Sequence, residues 1–416
     1  MCGERRVPAE LPQLPLQLER ADHAGRAEPP ALRETGSRRQ RSRGQPMSIS
    51  DLIRVTRPML HRHPRVKQAL QSADTALSRL HHTAAAAVPA LIRPQPRQLT
   101  VAVTAACTLR CKGCRYGRDF MLGERFSLPM MRDLLDDAKQ AGVNRVRLYG
   151  GEPMLHPKLP EMIRHSIGLG MDTYLTSNAT LLEDRIDELW DAGLRWMTIG
   201  FYGIGAKYDS YTQRDGHYDK LRRGLDKTRA KYGDEFEMQL NFVLIRSTCN
   251  LAALKEAWDF AQRYGLYFHL DLYGYSMPFF TDGDEGVVAF TPEDRPQVEE
   301  VTRELVRLKT AFPERFPQSL ALVRSVTDWL LRGPEMRVPC DAYQLLWVGA
   351  DGTVQLCDVT FKLGNLHETR LKDMLFGGTH RQACRDGFQL KCPNCTCKSD
   401  SRILKHAASM QAYGGR

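Results

Sequence analysis

The 416-residue sequence lacks any hydrophobic run long enough to cross a bilayer, and its N-terminus lacks an apolar signal region. The first absence excludes an integral membrane protein, and the second predicts a cytoplasmic chain that is not exported. In the reducing cytoplasm the eleven cysteines are expected to remain thiols. Clustered cysteines therefore predict metal ligands rather than disulfides.

No single domain concentrates the positive charge. The formal net charge of +10 is spread along the chain, apart from an arginine-rich stretch near residue 40. A dispersed charge of this kind is typical of a solvated surface, so nucleic acid is not an expected partner. The apolar fraction of 42% is that of an ordinary globular protein and allows a substantial core.

Composition divides the chain into five segments. Residues 1–46 are rich in Pro and Arg without apolar periodicity, which predicts a disordered basic tail. Residues 47–97 have helical spacing and form an N-terminal extension. Residues 98–290 alternate strand-like and helix-like runs, and residues 291–334 predict two connecting helices. Residues 335–416 combine short strands, turns and cysteines.

The alternating segment predicts the fold. Short, strongly apolar strands separated by helices indicate a parallel sheet, and six units are fewer than the eight of a closed barrel. We therefore predict an α/β fold: an incomplete (β/α)6 TIM-like barrel with a small cysteine-rich C-terminal α+β domain and a helical N-terminal extension. The predicted strands are 99–104, 145–150, 171–177, 196–201, 237–245 and 266–273. The predicted helices are 127–141, 158–169, 183–192, 218–231, 250–264, 293–311 and 318–332.

Unusual segments follow the first three predicted strands, at the edge of a parallel sheet where active sites form. The first is VTAACTLRCKGCRYGRDF (103–120), in which Cys107, Cys111 and Cys114 have the spacing C-x3-C-x2-C. Three thiolates are one ligand short of a structural zinc site. They would leave one iron of a [4Fe–4S] cluster open to a substrate or cosubstrate. The other two segments are GGEP (150–153) and TSN (176–178).

Together, the C-x3-C-x2-C loop and the GGEP segment resemble the radical S-adenosylmethionine (SAM) superfamily. The resemblance covers about residues 97–275. It implies a [4Fe–4S] cluster on the three cysteines, with SAM chelated by the fourth iron and cleaved to a 5′-deoxyadenosyl radical. It also implies that the SAM amino group binds at GGEP and that the end of the third strand contacts SAM. The implied SAM-binding residues are Gly150, Gly151, Glu152, Pro153, Ser177 and Asn178. The alternative for Ser177 and Asn178 is capping of the next helix. The family usually has an aromatic residue where this chain has Gly113, and Tyr116 is the nearest aromatic.

The C-terminal segment contains a second set of cysteines. Cys340 precedes WVGADGTVQLC, which predicts a hairpin with a DG turn that returns to Cys357. By ligand count, these two cysteines and the C-x2-C pair Cys392 and Cys395 fit zinc and a second [4Fe–4S] cluster equally. The spacing is similar to the SPASM and twitch extensions of radical SAM enzymes, which implies one auxiliary cluster on these four cysteines. Cys384 or Cys397 is an alternative ligand.

The substrate is the open part of the prediction. We expect a small natural-product or sugar-like molecule, oxidised or isomerised with help from the auxiliary cluster and with a reductant such as flavodoxin or ferredoxin. A precursor peptide is the alternative substrate, and a non-enzymatic zinc protein that binds nucleic acid is a further alternative. Candidate catalytic residues are Tyr202, Asp271 and Tyr273, and the loop Phe279–Asp284 is a candidate substrate contact.

Overall fold

The protein is described here from a computed structural model, which describes residues 64–116, 118, 121–274, 288–357 and 360–415. The predictions for residues 1–46, for the start of the N-terminal extension and for the loop Phe279–Asp284 lie outside the described residues. No helix within the described ranges is long and apolar enough to cross a membrane.

All six predicted strands are confirmed, with ends within one residue of the prediction. They are β1 (Gln98–Thr104), β2 (Arg145–Gly150), β3 (Asp172–Ser177), β4 (Trp196–Phe201), β5 (Glu237–Leu244) and β6 (Tyr267–Leu272). Each pairs in parallel with its neighbour in the chain. Three C-terminal strands follow: β7 (Leu345–Val348), β8 (Thr353–Gln355) and β9 (Lys362–Asn365). The predicted hairpin is thereby confirmed, because β7 and β8 pair antiparallel around Asp351 and Gly352.

The C-terminal strands continue the main sheet. Its strand order is β6-β5-β4-β3-β2-β1-β7-β8-β9, and β7 pairs in parallel with β1, for example Leu346 with Leu99. The described strands thus form one open sheet with β6 and β9 at its edges, rather than a closed barrel. The region that contains the second cysteine set is therefore bonded through the backbone to the first strand of the core.

The helices match the prediction closely. They are α1 (Pro64–Ala87), α2 (Leu128–Gln140), α3 (Leu159–Gly168), α4 (Leu182–Asp191), α5 (Ala206–Thr212), α6 (His217–Tyr232), α7 (Leu251–Arg263), α8 (Arg295–Ala311), α9 (Leu320–Arg332), α10 (Leu371–Met374), α11 (Gly378–Phe388), α12 (Ser399–Lys405) and α13 (Ala407–Tyr413). Side-chain caps explain several starts: Ser127 accepts from Met130 N, and Asn250 accepts from Ala253 N. The short helix α5 and the four C-terminal helices α10–α13 were not predicted.

The strands have one apolar and one polar face. Along β5 the buried positions alternate, with Met238, Leu240 and Phe242 packed in the core and Gln239 and Asn241 on the opposite face. Similar alternation occurs along β2, β3 and β6. The apolar face packs on helices, whereas polar side chains of the other face line a cavity. The sheet is therefore covered by helices on one face and opens onto the site on the other.

Candidate active site at the carboxyl ends of the strands

The three-cysteine loop follows β1 and is held by backbone hydrogen bonds to the end of α5. Arg110 N donates to Thr212 O and Lys112 N donates to Tyr211 O, both at 2.9 Å. Burial raises the pKa of the Cys107 thiol to about 12, and the nearby Glu152 and Cys114 add to this rise. Burial raises the pKa of Cys111 as well, helped by Cys114 and Cys107. Two neighbouring thiols that resist ionisation suit a site where bound iron supplies the compensating positive charge.

The arrangement of the thiols bears on the kind of metal centre. Among the described residues, no group of three His, Cys, Asp or Glu side chains converges on a single metal ion. Cys107, Cys111 and Cys114 all line the same cavity. Three thiolates at separate positions are the donor set that a [4Fe–4S] cluster with one open iron takes.

Gly113 departs from the family pattern for a backbone reason. Its φ is +74°, a conformation that residues with a side chain rarely adopt. A Cβ at this position would also lie 3.0 Å from Cγ1 of Val288. An aromatic residue would therefore be strained here, and the buried Tyr116 lies against Tyr149 at the cavity wall, with ring centroids 6.4 Å apart.

The GGEP segment packs directly on the chain that enters the cysteine loop. Gly151 N donates to Thr104 O at 2.9 Å, and Glu152 N donates to Ala106 O at 2.7 Å. A Cβ at Gly150 or at Gly151 would lie 2.3 Å from a carbonyl oxygen of that chain. Both glycines line the cavity. Glycine is thus required for the close approach that places this backbone beside the cysteines.

Glu152 is fully buried, and its carboxylate is engaged within the protein. It accepts hydrogen bonds from Met154 N at 3.0 Å, from Ser177 Oγ at 2.8 Å and from Asn178 N at 2.9 Å. Burial raises its pKa to about 7, opposed by these hydrogen bonds. The carboxylate therefore fastens the GGEP turn to the end of β3, rather than facing the cavity. Pro153 is buried in the same turn.

Ser177 and Asn178 do line the cavity. Asn178 Nδ2 donates to Thr108 Oγ1 at 3.1 Å, which connects the end of β3 to the cysteine loop. Helix α4 begins after Leu181 and has no side-chain cap, so the capping alternative for these two residues is not what the structure has. The sequence-predicted SAM site is thus brought together, with Gly150, Gly151, Ser177 and Asn178 exposed to the cavity and Glu152 behind them.

The cavity has a volume of about 470 Å³. Its opposite wall comes from the C-terminal region, through Leu345–Trp347 and residues 396–400. Thr396 Oγ1 donates to the carbonyl oxygens of Leu272 and Tyr273, which docks the C-terminal cysteine turn on the end of β6. The second cysteine set is therefore attached to the same strand ends as the candidate SAM site.

All three candidate catalytic residues line the cavity. Tyr202 stacks on Tyr211 at 4.3 Å between ring centroids, and burial followed by the nearby Cys111 raises its pKa well above 10. Tyr273 is buried beside the same aromatic group. Sequence reasoning missed Arg147 and His269, which also line the cavity. Their signal was the polar alternation within β2 and β6.

The structure divides the second cysteine set into four candidate ligands of an auxiliary cluster and two cysteines with other surroundings. Burial raises the pKa of Cys395 to about 12, and negative charge at Cys340 and Cys357 adds to this; Cys392 acts on Cys340 in the same way. Cys395 therefore interacts electrostatically with Cys340 and Cys357, and Cys340 with Cys392. Cys384 is fully buried in an apolar cluster with Ile92 and Phe388, which indicates packing. Cys397 instead lines the main cavity.

Comparison with known proteins agrees with this site. Residues 101–247 match the model of the Radical SAM superfamily. GTP 3′,8-cyclase of Chlorobaculum tepidum is 31% identical over 153 residues, which is 36% of this chain and 46% of that protein. GTP 3′,8-cyclase 1 of Mycobacterium tuberculosis is 30% identical over 165 residues, covering 34% of this chain and 46% of that protein. The chain thus spans about half the length of these curated relatives.

Two solved structures share the fold. Native anSMEcpe with bound AdoMet aligns with a TM-score of 0.54 at 14% identity, over 70% of this chain and 84% of that chain. Streptococcus suis SuiB bound to precursor peptide SuiA aligns with a TM-score of 0.52 at 16% identity, over 81% and 79%.

The fold and the cysteine–glycine site therefore agree with the Radical SAM superfamily domain that residues 101–247 match. A domain of this kind implies a [4Fe–4S] cluster that works with SAM.

Proposed function

We propose that this enzyme uses SAM to generate a 5′-deoxyadenosyl radical that removes a hydrogen atom from a small-molecule substrate. The observation that carries the proposal is one cavity lined by the three cysteines, the glycines of GGEP and the C-terminal wall. When bound, the [4Fe–4S] cluster supplies the electron that cleaves SAM. The volume of about 470 Å³ lies within the range of about 300–1,000 Å³ that is usual for small-molecule sites.

The protein's own residues hold and orient the reactants. Cys107, Cys111 and Cys114 hold the cluster, and the backbone at Gly150 and Gly151 receives the SAM amino group. Asn178 lies between this backbone and the cysteine loop, where its amide meets the rest of the SAM amino-acid portion. The aromatic side chains around Tyr202 limit the access of water to the radical.

A second, auxiliary [4Fe–4S] cluster on Cys340, Cys357, Cys392 and Cys395 is part of the proposal. The electrostatic interaction of these thiols supports it, and so does the docking of their turn on the end of β6. Four protein ligands leave no open iron, which suits acceptance of one electron from the substrate radical that hydrogen abstraction leaves. Flavodoxin or ferredoxin is the proposed reductant for the first cluster.

The comparisons support two classes of substrate, a small molecule and a precursor peptide. The relatives named GTP 3′,8-cyclase support a small molecule such as a nucleotide. A precursor peptide is the second candidate, because SuiB shares this fold and was solved with the peptide SuiA. The cavity volume of about 470 Å³ favours the small molecule.

Metal analysis after anaerobic purification tests the proposal. We expect about eight irons per chain, and about four in the Cys107/Cys111/Cys114→Ala variant. Dithionite and SAM should then yield 5′-deoxyadenosine from the wild type and none from the variant. Zinc without iron, or intact clusters that never form 5′-deoxyadenosine, would show that the proposal is wrong.

A further inference from the structure

Three ionisable side chains lie on the polar face of the sheet and line the same cavity. Arg147 lies on β2, and His269 and Asp271 lie at alternate positions of β6; we call them the inner-wall triad. The charge of Arg147 acts on the pKa of both other side chains. None of the three belongs to the cysteine loop or to GGEP.

Arg147 is held in a fixed orientation. Its Nε donates to Thr176 Oγ1 at 2.9 Å, and Thr176 Oγ1 in turn lies 2.8 Å from Thr198 Oγ1. Its guanidinium lies over the ring of Tyr149, 5.1 Å from the centroid. A guanidinium fixed at one edge and supported by an aromatic ring is preorganised to bind a planar or tetrahedral oxyanion.

The opposite side of the triad offers hydrogen-bonding groups. Burial and the charge of Arg147 lower the pKa of His269 to about 4, so its imidazole is neutral near pH 7. Nδ1 of His269 is buried and has no hydrogen-bond partner among the residues that the structure describes. Burial raises the pKa of Asp271, and Arg147 opposes this rise. A buried polar atom that lacks a partner is costly, and a ligand in the cavity would satisfy it.

We propose that the inner-wall triad is the substrate-recognition site, and that it binds a polar small molecule through an oxyanion, either carboxylate or phosphate. The oxyanion binds Arg147, and hydrogen-bonding groups on the body of the molecule meet His269 and Asp271. This proposal rests on the proposed function, because it assigns the substrate class of the same cavity. It places recognition on the strands and leaves the cluster and SAM at the strand ends.

Matched probe pairs test the oxyanion without turnover. Calorimetry under anaerobic conditions, with SAM-loaded holoenzyme, compares GTP with guanosine for phosphate and gluconate with glucose for carboxylate. For one pair we expect the anionic probe to bind at least about ten-fold more tightly than its neutral partner. The pair that shows the preference identifies the oxyanion.

Variants of the triad test whether Arg147 causes the preference for the anionic probe. Arg147→Met should abolish it, and Arg147→Lys should restore part of it. Asp271→Asn should increase it, because a negative charge that repels the anion is removed. Arg145→Met is the matched control, since Arg145 lies two residues away on β2 but is exposed and paired with Asp172. The control should keep the wild-type preference.

Several outcomes would overturn the inference. They are the absence of an anion preference in the wild type, including failure of all four probes to bind, and an equal loss in the Arg145→Met control. A loss of SAM affinity in Arg147→Met would assign Arg147 to SAM instead. Because the proposed function is tested by iron content and 5′-deoxyadenosine in the wild type, either idea can fail while the other stands.

Discussion

At the scale of single residues, the site depends on glycines, because a Cβ at two positions of GGEP would collide with the neighbouring backbone. Gly150 and Gly151 allow the GGEP backbone to touch the chain leading into the cysteine loop. Glu152 then bonds this turn to Ser177 and Asn178. Within the GGEP motif, Gly150 and Gly151 thus line the cavity, whereas Glu152 lies behind them and holds the turn in position.

Gly151→Ala should lower SAM affinity at least ten-fold. The new Cβ would lie 2.3 Å from Ala106 O and 2.4 Å from Ala105 O, so the turn must move away from the cysteine loop. Equilibrium dialysis of SAM against iron-loaded protein measures the effect. Gly168→Ala is the control, since a Cβ there has open space. Equal affinity in the two variants would contradict the cradle described for Gly151.

A buried histidine makes stability depend on pH. His380 is fully buried, its Nδ1 accepts from Phe376 N at 3.0 Å, and burial lowers its pKa to about 4. Between pH 6.5 and pH 4 the histidine binds a proton in the unfolded chain, where its pKa is near 6.5, but stays neutral in the folded protein. The free energy of unfolding should therefore fall as the pH drops from about 6.5 towards 4, by roughly 1–2 kcal/mol between pH 7 and pH 5.

His380→Asn should remove this contribution while keeping an acceptor for Phe376 N. Urea unfolding of the metal-free protein at pH 7 and pH 5 gives the difference for each variant. Other histidines also titrate in this range, so the comparison is between the wild-type and variant differences. An identical pH dependence in both proteins would show that His380 is not the group responsible.

At the scale of elements, the C-terminal cysteine turn is held by one buried arginine. Arg402 of α12 is fully buried and donates to Cys395 O at 2.6 Å, Val338 O at 2.5 Å and Asn394 Oδ1 at 3.0 Å. It therefore connects the segment before Cys340 to the turn that contains Cys395. Because backbone carbonyls are its main acceptors, removing the guanidinium leaves several buried polar atoms unsatisfied.

Arg402→Met should lose the auxiliary iron, about four atoms per chain, while the first cluster stays. Iron analysis measures the loss of the auxiliary cluster, and 5′-deoxyadenosine formation with dithionite measures whether the first cluster still works. Arg381→Met is the control, because Arg381 is exposed and its side chain bonds to Phe376 O, away from the cysteine turn. Full iron content in Arg402→Met would contradict the role given to Arg402.

At the scale of the whole molecule, one sheet joins the core to the C-terminal region. Strand β1 lies between β2 and β7, so neither region can separate without exposing the edge of β1. Leu346 of β7 is 1% exposed and belongs to the main hydrophobic core. The two regions should therefore unfold together.

Leu346→Ala should lower the stability of the entire described fold by about 2–5 kcal/mol. Calorimetry of the metal-free protein should show one transition, with equal van't Hoff and calorimetric enthalpies, shifted to lower temperature. A second transition at low temperature, with the main one unchanged, would mean that the C-terminal region folds independently.

Local sequence patterns determined the strands, most helices and the cysteine and glycine motifs. Each is encoded within a few residues: apolar runs between turn residues, capping residues, and the spacing of Cys107, Cys111 and Cys114. Helix α5 was missed because it has only seven residues between Gly205 and Gln213. Too few turns are present for helical periodicity to show.

Only the tertiary structure decided what depends on contacts between distant strands. Pairing of β7 with β1, the inward orientation of Glu152 and the separation of Cys384 from Cys397 all depend on side chains far apart in sequence. The inner-wall triad likewise exists only because the fold brings side chains of β2 and β6 to the same cavity. The sequence determines which face of a strand is polar, because successive side chains point to opposite faces. The packing of the chain decides which polar faces line the same cavity.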